Sequence, residues 1–305
     1  MHFQLRDVEY FAVIAEHGQL QRAAEALNLS QAALSKSLQR LETIMNSKLL
    51  KRTPKGVELT STGSALLAQV SKLRLSVEDV AREIADLSEG RAGYLRVGAA
   101  AGAGMDLAPR ACAVLLREAP KVTVKLSVTD NKSMLAGLRD GTLDLAVTMM
   151  DGTQHDDLVQ EHTHDDTWIV YASSNHRLAG RRQLMLADLA QERWAMASPN
   201  SPTNLLLTQE FRNRSLPPPR LTVETTYLPA RHLLVAESEL LALGLRPIVR
   251  QGAKRHAIVE LRVKDFNITR RGGVIYRKDA YLSPAARRFI EILKATAKEI
   301  AAERP

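Results

Sequence analysis

The chain has 305 residues, 45% hydrophobic and 25% charged, proportions that suit a protein burying two or three domain cores. Aromatic residues reach only 4%, too few for a stacking platform on single-stranded nucleic acid, and the lone Cys112 excludes an intrachain disulfide or a cysteine zinc site. The net charge of +8 argues for little by itself, because residues 1–63 hold 8 basic against 6 acidic side chains and most of the excess lies beyond residue 91.

Leu20, Ala23, Ala24 and Leu27 fall on one face of a short helix. Asn28 tolerates the left-handed backbone that would end it, and Ser30 suits the N-cap of a second helix burying Leu34, Leu38 and Leu41. Two short helices with a tight turn and small residues at their crossing describe a helix-turn-helix. The face left outside carries Gln31, Ala32, Ser35, Lys36, Gln39 and Arg40. Such side chains suit the major groove: Gln can bond adenine bidentately, Lys can reach guanine, and an alanine methyl can touch that of thymine. Lys48, Lys51, Arg52 and Lys55 follow, so residues 30–58 hold 6 basic against 2 acidic residues, a cluster fit for phosphates. Pro54 and Gly56 mark the turn of a short β-wing. A solvated helix face is the plainer alternative.

The stretch "YFAVIAEHGQLQRAAEALNLSQAALSKSLQRLETIMNSKLLKRTPKGVELTSTG" resembles the winged helix-turn-helix of LysR-type transcriptional regulators. The resemblance runs from Leu5 to Gly63 through Phe11, Ala15-Glu16, Gly18, Ala23-Ala24, Leu27, Ser30-Gln31, Leu41-Glu42, Arg52 and Leu59-Thr60. Departures are Gln19 for the family's usual Ser, Ala32 for Pro, Met45-Asn46 for Leu-Gly and Leu50 for Phe. The reading that follows is base contact by Gln31, Ala32, Ser35, Lys36 and Gln39, with phosphate or minor-groove contact by Arg40, Lys51, Arg52 and Lys55.

Thr60 can cap a further helix from about residue 60 to 88, with Gly63 in its first turn. Leu66, Val70, Leu73, Val77, Val80, Ile84 and Leu87 form a heptad stripe along it. A self-paired helix is expected, with packing onto the chain's own second domain as the alternative. Val and Ile at one heptad position and mainly Leu at the other point to a parallel pair, whereas the resemblance implies an antiparallel one. Either holds two DNA modules at a fixed separation, on double-stranded DNA with an interrupted palindromic site.

"GRAG" at residues 90–93 reads as a hinge. A βαβαβ order follows, with strands "YLRVGAAA", "KVTVKLSVTD" and "LDLAVTMM", which means a parallel sheet with helical crossovers. A second set holds the strands "TWIVYAS", "RWAMAS", "LTVETT" and "LLALGL", with helices near residues 202–214 and 228–237. The chain returns through "IVELRV" and "GGVIYRK" to a final helix at about 284–301. This pattern resembles the two-lobed effector-binding domain of LysR-type regulators, similar to periplasmic solute-binding proteins. The expected architecture is therefore α+β and α/β: a winged helix-turn-helix over residues 1–63, a linker helix over 64–89, and a regulatory domain over 90–305. Its first lobe would take about 93–165 and 267–301, its second about 166–266.

Ligands of open parallel sheets sit beyond the carboxyl ends of the strands. Those ends offer Ala100, Ala101, Gly102, Thr129 and Thr148 on the first lobe, and Ser198, Asn200, Ser201, Thr203 and Thr226 on the second. "SPNSPTN" offers hydroxyls and free backbone N–H groups to an anion, or simply an N-cap at Ser201. A small anionic effector is expected. The hydroxyl that the family often has near Ala100–Gly102 is missing, and "GAAAGAG" lacks the dinucleotide fingerprint.

"HDDLVQEHTHDD" (155–166) reads as a polar crossing between lobes, with a metal site as the minor alternative. Cys112 reads as a buried, inert thiol. No G-x-S-x-G or H-E-x-x-H constellation appears, so a non-enzymatic protein without cofactor or metal is expected. A transport-type binding protein or an enzyme on the two-lobed domain are the alternatives. No run approaches the ~20 apolar residues of a membrane span, and "MHFQLRDVEYF" is too acidic for a secretory signal, so a cytoplasmic protein is expected. Other expected partners are a second or fourth copy of the chain and RNA polymerase.

Overall fold

A computed structural model describes residues 4–54, 56–89, 93–150 and 152–302, without the side chains of 85–89. Two compact units divide at Glu83/Ile84.

The first unit begins with α1 (Leu5–His17), α2 (Leu20–Ala26) and α3 (Gln31–Met45). Their boundaries are set by local chemistry. Gly18 stops α1 at φ 65°, Asn28 turns the chain after α2 at φ 53°, and Asn46 closes α3 at φ 47°. Ser30 caps α3, its Oγ accepting from Ala33 N at 3.2 Å. The wing is β1 (Leu50–Thr53) paired antiparallel with β2 (Gly56–Leu59). Val57 N donates to Gly18 O at 2.8 Å, and a Cβ on Gly56 would strike that same carbonyl, so only glycine fits the wing against the end of α1. One apolar cluster joins these elements: Phe11, Ile14, Ala23, Ala24, Leu34, Leu41 and Leu49 are fully or almost fully buried in it.

The long helix α4 (Ser61–Glu89) starts at Thr60, whose Oγ1 accepts from Gly63 N at 2.9 Å. Its 29 residues extend about 43 Å. The heptad stripe divides. Val70 is only 4% exposed and packs into the helix-turn-helix core, with Leu66 partly buried beside it, so these two serve the chain's own domain. Leu73, Val77, Val80 and Ile84 stand exposed, Val77 at 57%. The side chain of Leu87 lies outside the described residues, as does the expected hinge at 90–92.

The second unit carries β3 (Tyr94–Ala99), α5 (Ala101–Met105), α6 (Leu107–Glu118), β4 (Thr123–Val128), α7 (Asn131–Arg139) and β5 (Leu145–Met149). β3 runs parallel to both β4 and β5, the expected crossover arrangement. Then come β6 (Leu158–Ser173), a 3-10 turn (Leu186–Leu189), β7 (Arg193–Met196), α8 (Pro202–Asn213), β8 (Arg220–Glu224), α9 (Leu228–Ala236), β9 (Leu240–Leu245) and α10 (Arg246–Ala253). β10 (Ile258–Leu261), β11 (Ile268–Arg277) and α11 (Pro284–Ala302) complete the chain. Among the described residues the strands form one path, β4-β3-β5-β11-β6-β9-β7-β8, with β10 on β6. The first lobe's core lies between its sheet and helices α6 and α11, around Leu95, Val97, Leu115, Phe289 and Leu293. In the second lobe Trp194, Phe211 and Leu243 fill one face of the sheet, Tyr171, Val235 and Val249 the other.

The polar crossing expected at 155–166 is instead mostly strand. β6 is continuous over 16 residues, and its first half pairs antiparallel with β11. Asp165 lies opposite Arg271 and Asp166 opposite Arg270 in the register, while their carboxylates meet His162 at 2.9 Å and His164 at 3.6 Å on β6 itself. Glu161 meets the Tyr276 hydroxyl at 2.5 Å and Lys294 Nζ at 2.5 Å. β3 ends at Ala99, short of the strand expected through Ala101, which instead starts α5; α5 and α10 go beyond the expected pattern.

Candidate nucleic-acid interface and effector cleft

Helix α3 buries Leu34, Ser37 and Leu41 and turns Gln31, Ala32, Lys36, Gln39 and Arg40 outward, with Ser35 half-buried between them. The row expected to face DNA thus shares one exposed surface. Lys36 and Arg52 have no ion pair among the described residues. Lys55 lies outside them.

Two of the expected phosphate ligands are already engaged. Arg40 Nε donates to Asp7 Oδ2 at 2.8 Å and its Nη2 pairs with Oδ1, while Ser37 Oγ donates to Oδ1 at 2.6 Å. Asp7 is completely buried, and its carboxyl is held below the ordinary value, first by Arg40 and then by Ser37, against the opposing effect of burial. Arg40 therefore clamps α3 onto α1. Lys51 Nζ reaches Glu58 Oε2 at 2.8 Å across the wing. Sequence reasoning missed Asp7, whose partners lie 30 and 33 residues away and leave no local signal.

Glu42 has a similar structural task. Its Oε1 accepts from Leu49 N at 3.0 Å and from Leu50 N at 3.4 Å, and its Oε2 from Lys48 Nζ at 2.5 Å. A buried carboxylate thus fixes the start of the wing.

In the second unit, the expected ligand residues of the first lobe gather at the carboxyl ends of β3, β4 and β5. Ala100 N donates to Val147 O at 2.9 Å and Thr129 N to Ala99 O at 3.1 Å, and Thr148 is buried. Beside them, Asn131 Oδ1 is buried without a hydrogen-bond donor. On the second lobe, Ser201 Oγ accepts from Asn204 N at 3.3 Å, so its hydroxyl serves as the N-cap of α8. Ser198 and Thr203 are half-buried nearby; Asn200 and Thr226 are exposed.

The two lobes meet through residues of which sequence reasoning singled out only Ala101. Ala101, Met105, Met149 and Trp168 pack with Leu228, Leu245 and Ile248. A Cβ on Gly102 would come to 3.0 Å from Leu245 Cδ1. The small residues at 100–102 therefore leave room for the second lobe. Leu245 ends β9, so the same carboxyl-end rule that selected Thr148 could have found it.

Residues 5–64 match the bacterial regulatory helix-turn-helix model of the LysR family, and residues 88–298 match the LysR substrate-binding domain. The SDS degradation transcriptional activation protein of a Pseudomonas strain is 33% identical over 288 residues, covering 92% of each chain. Among solved structures, full-length CbnR complexed with target DNA superposes with a TM-score of 0.65 at 20% identity, covering 97% of this chain and 100% of that one. The CcmR regulatory domain of Synechocystis PCC6803, in complex with 2-PG, gives 0.61 at 22% identity over 68% of this chain and 98% of its own. The chain belongs to the LysR family: it is a DNA-binding transcriptional regulator with an effector-binding domain.

Proposed function

We propose that α3 enters the major groove with Gln31, Ala32, Ser35, Lys36 and Gln39 on the base edges, while Arg52 and Lys51 hold phosphates and Arg40 keeps the helix in register. The observation that carries this is the outward row on α3, with Lys36 left without a carboxylate partner. The exposed half of the α4 stripe, Leu73 to Ile84, would pair with a second copy, so that two modules read an interrupted palindrome. RNA polymerase is the partner such a regulator would act on, in the cytoplasm.

The effector is a small anion seated beyond the strand ends, near Thr129, Thr148, Ser198 and Thr203, with Met149 and Leu228 against its apolar part. The Ser/Thr-rich loop before α8 and the positive balance of the regulatory domain support that charge. CcmR, of the same fold, was solved with 2-PG. A panel of carboxylates, phosphate esters, amino acids and neutral sugars in a thermal-shift assay tests it. A ligand at 100 times its Kd stabilises by about 2.7 kcal/mol. Hits confined to neutral or cationic compounds would sink the anionic reading.

On the DNA side, fluorescence anisotropy on operator and random duplexes separates the roles. Lys36→Ala should cost about 1–3 kcal/mol of discrimination. Arg52→Ala should weaken both duplexes alike and lower the salt slope by about 0.9. Equal losses on both duplexes for Lys36→Ala would remove it from the base-reading set.

A further inference from the structure

A second group of polar side chains lies within the second lobe, between its sheet and helices α9 and α10. Arg231 on α9 is 5% exposed, its neighbour His232 2%, and Tyr171 on β6 is completely buried. The rings of Tyr171 and His232 meet edge to face at 5.6 Å, and His256 stands 6.3 Å from His232. Against the ring of His232 lies Gly252 of α10, where no Cβ would fit without displacing it.

The charge in this group is uncompensated. Arg231 pairs with no carboxylate among the described residues, its Nε is buried without an acceptor, and Tyr171 Oη, close to that guanidinium, is buried with no acceptor for its own proton. Burial pushes His232 down to about 4, with the charges of Arg231 and His256 adding to that effect, so the imidazole is neutral at pH 7. The group thus holds one permanent positive charge and a hydroxyl free to donate. Taking a guanidinium out of water with nothing opposite is strongly unfavourable, a penalty that a counter-ion removes. Two half-buried arginines of this unit have that counter-ion: Arg96 pairs with Asp144 at 2.6 Å, and Arg214 with Asp265 at 3.0 Å.

We propose that Arg231 and the Tyr171 hydroxyl bind a small oxyanion, a sulfate, phosphate or carboxylate group, between α9 and the sheet of the second lobe. A planar guanidinium presents parallel N–H groups to two oxygens, and the phenol supplies a third donor. The site is distinct from the strand ends assigned to the effector, and its fate does not decide that reading.

The test uses the full chain, with sodium sulfate, phosphate or acetate against sodium chloride at matched ionic strength. Calorimetry and thermal unfolding should show a saturable response to at least one oxyanion in the wild type. Tyr171→Phe keeps the ring and removes only the donor, and should weaken that binding roughly tenfold. Arg231→Met should abolish it, and Arg231→Lys should retain a weaker response. No saturable response in the wild type, or an unchanged one in both Tyr171→Phe and Arg231→Met, overturns the proposal. Loss of the response in Ser201→Ala, with Tyr171→Phe unaffected, would place the anion at the loop before α8 and equally overturn it.

Discussion

At the scale of single residues, much of the charge near the DNA-facing helix serves the fold. Asp7 is the sharpest case, since its carboxylate takes Arg40 and Ser37 together in a buried setting. A folded-state value depressed below 3.8 means that the unfolded chain takes up the proton first as pH falls. The stabilisation is therefore complete above about pH 4 and disappears as pH drops through the folded value. Asp7→Asn should lower stability at pH 7 by about 1–3 kcal/mol, because Arg40 and Ser37 lose an ionised acceptor. It should also flatten the acid limb of the first unit's unfolding below pH 4, read by calorimetry. An acid limb identical to that of the wild type would show that Asp7 is protonated or unpaired in solution. Nothing near Asp7 in the sequence announces this role, whereas Asn28 and Ser30 act on adjacent backbone and could be read directly.

The same contrast holds for whole elements. α2, α3, α8 and α11 follow the sequence pattern closely, because caps and apolar spacing are local properties. The first half of β6 did not follow it, since its pairing strand β11 and the partners of Glu161 on β11 and α11 lie about a hundred residues further on. Helix α4 shows a different limit. A heptad stripe records that one face is apolar and says nothing about what covers each turn. Val70 belongs to the intramolecular core and Val77 does not. Val70→Ala should cost the first unit about 1.5–3 kcal/mol and leave self-association unchanged. Val77→Glu should leave that unit's stability within about 0.5 kcal/mol and lower the association state seen by analytical ultracentrifugation. If Val77→Glu associates as the wild type does, the exposed half of the stripe is not the pairing surface.

For the molecule as a whole, the regulatory unit depends on how two lobes fit at the strand ends. The expected ligand residues of the first lobe do assemble there, while the apolar seam of Met105, Met149, Leu228, Leu245 and Ile248 was not foreseen. Gly102 lies on that seam. Gly102→Leu forces a side chain into the space of Leu245 and should destabilise the unit by about 1–3 kcal/mol. It should also shift the response to effectors, without changing the affinity of α3 for its operator half-site. Thermal shift and anisotropy on the same variant would check both; an unaltered effector response would place the ligand away from this seam.

The pairing of β6 with β11 has a mechanical consequence. Because one 16-residue strand serves both lobes, the connection between them is a hydrogen-bonded ribbon rather than a pair of slack tethers. Such a ribbon resists opening by bending, since hydrogen bonds between its strands would have to break, but it can twist at low cost. Its register shifts at Gly272/Gly273, where the ring of His164 and the carbonyl of Glu161 occupy the space of the missing side chains. Torsion should concentrate at that step, and the amides flanking it should exchange with solvent faster than those of Val274 to Tyr276 beside them.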